Sequence, residues 1–192
     1  VFHHPFTHRA LHRPDPFCGG GIGGHVQFAD PICSGASLLV SEVGREAGAR
    51  VHDGGVYVCI EGPQFSTQAE SKLYRSWNVD VIGMTNLTEA KLAREAEICY
   101  VTMALVTDYD CWHDTAEPVS VEQILGYLRA NAEMAQKVIR MSIERLAARN
   151  RDCACSDALE FAIVTDPAAI PSKLKHELEP IIDALLRCKA MV

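Results

Sequence analysis

The feature that most constrains the fold is an alternation along the chain between short apolar runs and segments with helical spacing. Residues 51–60, 79–82 and 98–106 are rich in β-branched and apolar side chains and predict buried strands. Residues 25–30 could form a further short strand. Because strands that alternate with helices indicate an α/β fold, we expect a mixed central β-sheet flanked by helices.

Three of the expected helices begin with the pattern of a capping box, in which Ser, Thr or Asn precedes Glu or Gln by three residues. The pairs are Thr67 with Glu70, Asn86 with Glu89, and Ser120 with Gln123. Together with apolar spacing, they predict five helices, over 34–49, 67–77, 86–95, 120–148 and 172–188. The fourth helix carries an apolar stripe that we expect to be core: Ile124, Leu125, Leu128, Ala132, Ala135, Val138, Ile139, Ile143 and Leu146.

Composition excludes several classes of function. The net charge is −7, so there is no basic surface of the kind that binds nucleic acid. No apolar run is long enough to span a bilayer, and the N-terminus lacks the apolar core of a secretory signal. We therefore expect a cytoplasmic protein with neither a nucleic-acid nor a membrane partner.

Residues 1–24 differ from the rest of the chain. Their first 17 residues hold four of the eight histidines and three prolines, without periodicity. The histidine spacing fits no ligand helix, and proline interrupts the segment repeatedly. We interpret residues 1–24 as an irregular leader, either a loop or a non-native segment, and residues 25–192 as one domain.

The eight cysteines are mostly scattered. Cys59 and Cys99 lie in apolar runs and are expected to be reduced core residues. Cys153 and Cys155, one residue apart, could form a strained disulfide or bind a soft metal. Because no second Cys or His pair lies at finger-like spacing, we predict no metal site and two reduced thiols.

Two acids, Asp108 and Asp110, follow the run 98–106 directly. Side chains at i and i+2 beyond a strand tend to point the same way, and ligands of open α/β sheets bind at that end of the strands. Two close carboxylates repel, so we expect at least one pKa to rise. A protonated acid could donate to a ring nitrogen while its neighbour accepts from an amine. The alternative is a solvated, Asp-rich turn.

Several stretches at these strand ends resemble one known family. They are Ile60-Glu-Gly-Pro-Gln-Phe-Ser-Thr-Gln-Ala-Glu-Ser71, Val81-Ile-Gly-Met-Thr-Asn86, Glu95-Ala-Glu-Ile-Cys-Tyr100, Ala104-Leu-Val-Thr-Asp-Tyr-Asp-Cys-Trp112 and His25-Val-Gln-Phe-Ala-Asp-Pro31. In this order they resemble the purine nucleoside phosphorylases, and more narrowly the methylthioadenosine phosphorylases. The likeness runs from about Arg13 to the C-terminus.

The resemblance implies an enzyme, a pentosyltransferase of purine salvage. Such enzymes cleave S-methyl-5'-thioadenosine with inorganic phosphate as co-substrate and no cofactor, and they release adenine and 5-methylthioribose 1-phosphate. The implied partners are therefore the nucleoside, phosphate and, because this family forms trimers with shared sites, two further copies of the chain.

The resemblance also implies roles for the base-site residues. Asp108 would protonate or hydrogen-bond N7 of the purine as the base leaves, and Asp110 would accept from the 6-amino group. Phe65 would stack on the purine ring, and Ser66 would line the base site. Phe65 could equally be a core anchor.

Other residues would surround the ribose, the phosphate and the 5' group. Met84 would pack under the ribose and Thr85 would contact phosphate, although core filling and helix capping are the alternatives. His25 would reach the 5' pocket of a neighbouring subunit, or lie on the surface. The wall of the base or methylthio pocket would comprise Val119, Val121 and Ile124.

The chain also departs from the family pattern. The family begins with strands, a Gly-rich phosphate loop and an Arg-His pair that residues 1–24 do not show. Of the phosphate ligands only Thr85 is present, so we expect little phosphorolysis by these 192 residues alone. A non-catalytic purine-binding or assembly chain is the second hypothesis, and a nucleosidase that uses water is the third. The resemblance extends to a Cys-x-Cys that can oxidise in some thermophile relatives.

Overall fold

A computed structural model describes residues 4–7, 20–113 and 121–189. The strands are β1 (His4–Thr7), β2 (Val56–Cys59) and β3 (Val81–Gly83). The helices are α1 (Ser34–Glu46), α2 (Gln68–Ser76), α3 (Leu87–Glu95), α4 (Val121–Ala147) and α5 (Ser172–Lys189). Two short 3-10 turns, Ala154–Asp157 and Pro167–Ala169, precede α5.

The described strands form one sheet in the order β1-β2-β3, and both neighbouring pairs are parallel. The α/β class is thus confirmed, although the sheet expected to be mixed is parallel in its described part. β1 corrects one expectation, because residues 4–7 of the segment interpreted as irregular form a strand at one edge of the described sheet. β1 pairs with β2 from His4 opposite Val56 to Thr7 opposite Cys59. Composition alone could not reveal this pairing.

The capping-box pattern succeeds at one helix start and fails at another. At α2, Thr67 accepts from the Glu70 amide and the Glu70 carboxylate accepts from the Thr67 amide, as predicted. At α3, Asn86 makes no side-chain cap. Its φ is +81°, and its side-chain oxygen instead accepts from the Thr102 hydroxyl at 2.6 Å. Ser120 of the third pattern lies outside the described residues.

Two expected strands are absent from regions that the structure describes fully. Residues 98–110 and 25–30 are not in strands. In the first region, backbone groups hydrogen-bond to residues that are not in strands. For example, the Tyr100 carbonyl accepts from the Cys33 amide at 2.8 Å. Val106, expected to be buried, is 63% exposed. A segment with high β-propensity forms a strand only where a neighbouring strand pairs with it. Here tertiary contacts determine the backbone conformation instead.

The core is divided into small clusters, and this corrects the expectation for α4. Val138 of α4 is buried against Val43 and Ala47 at the end of α1. Most of the larger side chains of the predicted stripe are instead exposed: Leu125, Leu128, Ile139, Ile143 and Leu146. Helix α1 covers only one part of α4, so periodicity alone overstates how much of the stripe is core.

Among the described residues, no helix combines the length and the apolar character that crossing a bilayer demands.

Candidate functional site

The loops that follow β2 and β3 meet at one edge of the sheet. Because the two strands are parallel neighbours, their carboxyl ends lie together. The Ile60 amide donates to the Gly83 carbonyl at 2.9 Å. The Cys59 thiol donates to the Thr85 carbonyl at 2.7 Å. The 60–67 loop and the 84–86 loop are therefore joined at their bases, as the resemblance requires.

Met84 and Phe65 occupy different environments in these loops. Met84 packs against Gly62, where an added Cβ would lie 2.5 Å from the Met84 sulfur and where φ is +69°. Phe65 is 88% exposed. This exposure excludes the core-anchor alternative for Phe65 in the described chain and leaves most of the side chain accessible.

The 107–113 segment packs against the 60–67 loop and α2. The Cys111 thiol donates to the Ser66 carbonyl at 3.5 Å. The Arg75 guanidinium lies 3.5 Å from the centroid of the Trp112 ring, a close cation–π contact. The 107–113 segment and the loop after β2 therefore lie together.

The two acids of the 107–113 segment differ in their surroundings. Asp108 is exposed, and its Oδ1 accepts from the Tyr109 amide at 2.7 Å. Asp110 is partly buried, and its Oδ2 has no hydrogen-bond partner among the described residues. A buried carboxylate oxygen without a donor is costly. Asp110 therefore presents an acceptor that a bound donor would satisfy.

Asp110 lies close enough to the Tyr74 phenol to affect its pKa. Burial raises the pKa of the Tyr74 hydroxyl, and the negative charges of Glu70 and then Asp110 raise it further. Tyr74 is itself almost fully buried in α2. The hydroxyl is therefore kept in its neutral form beside the acid.

Thr85 is exposed at the tip of the 84–86 loop, and its hydroxyl hydrogen-bonds Tyr57. Burial raises the pKa of Tyr57, and this hydrogen bond opposes the shift. Next to Thr85, Asn86 is buried, and its Nδ2 has no partner among the described residues. Sequence analysis interpreted Asn86 only as a helix cap and missed that it connects the loop to Thr102.

The remaining predicted site residues are not brought into contact with these loops by any described hydrogen bond. Ile124 is partly buried in the first turn of α4, and Val121 begins that helix. Val119 lies outside the described residues. His25 is exposed, and its backbone amide donates to the Ala162 carbonyl at 2.8 Å. The roles of these residues stay predictions.

A second group of reactive side chains was missed by sequence analysis. The sulfur atoms of Cys33, Cys99, Cys153 and Cys155 all lie within 4.8 Å of one another. Only the Cys-x-Cys pair was visible as a signal, because the other two residues join it through the tertiary fold. Burial opposes ionisation of Cys153, but hydrogen bonds from the Cys155 amide, Cys99 and Arg151 outweigh it and lower its pKa. Burial raises the pKa of Cys155.

Comparison with known proteins gives consistent matches. The profile of the phosphorylase superfamily matches residues 2–144. The S-methyl-5'-thioadenosine phosphorylase of Geobacter sulfurreducens is 54% identical over 170 residues, which are 88% of this chain and 59% of that protein. This chain therefore spans about three fifths of the length of that relative.

Solved structures agree with the sequence matches. A methylthioadenosine phosphorylase sourced from an Antarctic soil metagenomic library superposes with a TM-score of 0.82 and 40% identity, covering 93% of this chain and 62% of that one. A mutant adenosine/methylthioadenosine phosphorylase from Schistosoma mansoni, in complex with methylthioadenosine, superposes with a TM-score of 0.71 and 26% identity. The match covers 78% of this chain and 58% of that one. With the family profile matched over most of its residues, the chain belongs to the phosphorylase superfamily.

Proposed function

We propose that this chain carries the purine site of an enzyme that cleaves S-methyl-5'-thioadenosine with phosphate. The products are adenine and 5-methylthioribose 1-phosphate, so the enzyme is a pentosyltransferase with phosphate as co-substrate. One observation carries the proposal: the buried Oδ2 of Asp110, which has no hydrogen-bond partner among the described residues, lies on a segment packed against the loop that bears exposed Phe65. The names of the relatives support the same reaction.

The reaction develops positive charge on the sugar and negative charge on the purine, and the two acids interact with the purine. A phosphate oxygen bonds to C1' of the ribose while the bond from C1' to N9 breaks. The electron pair of that bond moves onto the purine, and positive charge develops on the sugar. Asp108 protonates or hydrogen-bonds N7 and so neutralises the departing base. Phosphate stabilises the sugar and then becomes bonded to it.

Asp110 sets the preference for a 6-aminopurine. Its free Oδ2 can accept from the 6-amino group of adenine but has nothing to offer the 6-oxo group of hypoxanthine or guanine. Two acceptors that face each other leave both unpaired, and such a mismatch can discriminate by orders of magnitude. The site should therefore select adenine nucleosides.

The two loops after the strands hold the rest of the substrate. Phe65 stacks on the purine, and the Ser66 region lines the base. Met84, packed on Gly62 at the base of the 60–67 loop, lies under the ribose. Thr85, exposed on the next residue, contacts phosphate. Val119, Val121 and Ile124 wall the base or methylthio pocket.

We propose that the assembly is a homotrimer in which His25 reaches the 5' pocket of a neighbouring copy. The exposure of His25 is compatible with such a contact. The exposed apolar side chains of α4 offer area for packing between copies. The site would then be complete only in the assembly.

Adenine release from S-methyl-5'-thioadenosine, with and without phosphate, tests the proposed reaction. With the phosphate-binding part of the family joined to this chain, we expect turnover that depends on phosphate and yields 5-methylthioribose 1-phosphate in equal amount, whereas the 192 residues alone should show little turnover. Turnover of the joined enzyme without phosphate would instead identify a nucleosidase. Binding of adenine by the joined enzyme without turnover would identify a non-catalytic purine-binding chain, and either result would overturn the proposal.

A further inference from the structure

We propose that Cys33, Cys99, Cys153 and Cys155 form a tetrathiolate site for one Zn²⁺ ion. The four residues come from three separate parts of the chain. Cys33 immediately precedes α1, and Cys99 follows α3. Cys153 and Cys155 lie at the start of the 3-10 turn Ala154–Asp157. The site is therefore created by the fold and not by a local motif.

The sulfur positions fit the geometry of a tetrahedral zinc site. A Zn–S bond of about 2.3 Å places the four sulfurs of a tetrahedron about 3.8 Å apart. Here all four lie within 4.8 Å of one another, and Cys99 and Cys153 are 3.3 Å apart. The tetrahedral spacing of about 3.8 Å lies between the 3.3 Å separation and the 4.8 Å limit. All four cysteines are free of disulfides.

Two guanidinium groups lie against the cluster. Arg151 hydrogen-bonds Cys153 and Cys99. Nη1 of Arg94 lies 4.0 Å from the Cys155 sulfur. Each arginine is also fixed by a backbone carbonyl, Arg151 by that of Glu97 and Arg94 by that of Asp30. Zinc with four thiolates carries a net charge of −2, and two neighbouring cations offset that charge.

The backbone supplies further support for thiolate ligands. The Cys155 amide hydrogen-bonds the Cys153 sulfur. The Cys33 amide donates to the Tyr100 carbonyl, next to Cys99, at 2.8 Å. Such outer contacts orient ligands and tune the affinity of a site for its metal. The cluster is thus held by its surroundings before any ion binds.

The donor set identifies the ion. Four soft sulfur ligands do not suit Mg²⁺ or Ca²⁺, which prefer oxygen, whereas tetrahedral S₄ sites are typical of zinc. On binding, each thiol that is still protonated releases its proton to solvent, and no electron is transferred. The ion would connect the start of α1, the chain after α3 and the 3-10 turn. Its role is structural because all four positions are filled by protein.

Metal titration of the reduced protein tests the site. The protein is purified with a phosphine reductant, stripped with a chelator and titrated with Co²⁺ and then Zn²⁺ under anaerobic conditions. We expect one Co²⁺ per chain, tetrahedral ligand-field bands, a thiolate-to-cobalt charge-transfer band, and displacement of cobalt by one Zn²⁺. Native mass spectrometry should show the same stoichiometry, and zinc should raise the Tm.

Serine variants provide matched comparisons. Cys99→Ser and Cys153→Ser should each weaken zinc affinity at least about tenfold, since loss of an outer-shell partner alone costs about 10–100-fold. Cys111→Ser should bind as the unsubstituted protein does, because this exposed cysteine lies outside the cluster. Circular dichroism checks that each variant folds, and the titration of the unsubstituted protein stands without them.

Three results would overturn the inference. The first is a fully reduced, folded protein that binds no zinc. The second is bound cobalt without a thiolate charge-transfer band, which would place the metal on other ligands such as the N-terminal histidines. The third is unchanged affinity in both folded cluster variants. If the cysteines are isolated as disulfides, the titration after reduction decides between these outcomes.

Discussion

At the scale of single residues, the two acids two positions apart are not equivalent. Asp108 is exposed and accepts from its neighbour's amide, whereas one buried oxygen of Asp110 has no donor in the part of the chain that the structure describes. The sequence predicted the pair from its position after an apolar run. It could not predict which acid is buried, because that depends on α2 and the 60–67 loop, which contact the segment only in the folded chain.

Substitution of the acids should separate turnover from base selection. Asp108→Asn removes a positioned general acid and should lower kcat for S-methyl-5'-thioadenosine by about 10²–10⁴-fold. Asp110→Asn supplies a donor to position 6 and should narrow the difference in kcat/KM between adenosine and inosine. The control is Asp157→Asn, in the 3-10 turn Ala154–Asp157. It should change neither kcat nor the preference between adenosine and inosine. Full turnover by Asp108→Asn would show that Asp108 is not the general acid.

The cysteine cluster shows the opposite limit of sequence reasoning. Cys153 and Cys155 were recognised as an unusual pair, but Cys33 and Cys99 gave no local signal and were taken for scattered residues. Their sulfurs meet only because the starts of α1 and of the 3-10 turn lie beside the chain that leaves α3. A spacing rule therefore predicts half of such a site at most.

At the scale of elements, the same sequence pattern had two outcomes. Thr67 forms a capping box because its backbone is extended, with φ −69° and ψ 160°. Asn86 has a positive φ, and its side chain turns inward to Thr102. With ψ at −62°, this is the conformation of a classic γ-turn, closed by the Leu87 amide donating to the Thr85 carbonyl at 3.1 Å. A capping pattern thus predicts where a helix begins more securely than it predicts the cap's hydrogen bonds.

A glycine at the end of β3 should be intolerant of substitution. A Cβ at Gly83 would overlap the Tyr57 hydroxyl, and Tyr57 is buried in the neighbouring strand. Gly83→Ala should therefore destabilise the protein by about 1–3 kcal/mol, as overpacking does. Urea unfolding measures this change in the free energy of unfolding.

Gly126→Ala is the matched control for Gly83→Ala. It lies within α4, and a Cβ there would meet no atom within 4 Å. It should stabilise the protein by about 1 kcal/mol through helix propensity. If Gly83→Ala were as stable as the unsubstituted protein, the close packing of Tyr57 on β3 would be wrong.

At the scale of the whole molecule, much apolar surface is uncovered. Residues 98–106 were predicted as a buried strand, yet Ile98 is 58% and Val106 is 63% exposed. On α4, Ile143 is 60% exposed. The apolar pattern predicted burial of these segments, and for these side chains that prediction is wrong within the described chain.

Sedimentation of the protein tests the proposed assembly. We expect a homotrimer, because exposed large apolar side chains on α4 and in 98–106 favour packing between copies. A charged substitution such as Ile143→Glu should shift the population towards monomer, whereas Glu133→Gln on the same helix should not. A folded monomer at all concentrations would remove the shared site and the role of His25.

The most direct measurement is a crystal structure of the protein with adenine and phosphate. We expect the 6-amino group within hydrogen-bond distance of Asp110 Oδ2, N7 at Asp108, and the purine ring stacked on Phe65. The buried oxygen that has no donor among the described residues would then have one. Adenine bound away from the 60–67 loop and the 107–113 segment, with Asp110 Oδ2 still unpaired, would show that the purine site lies elsewhere.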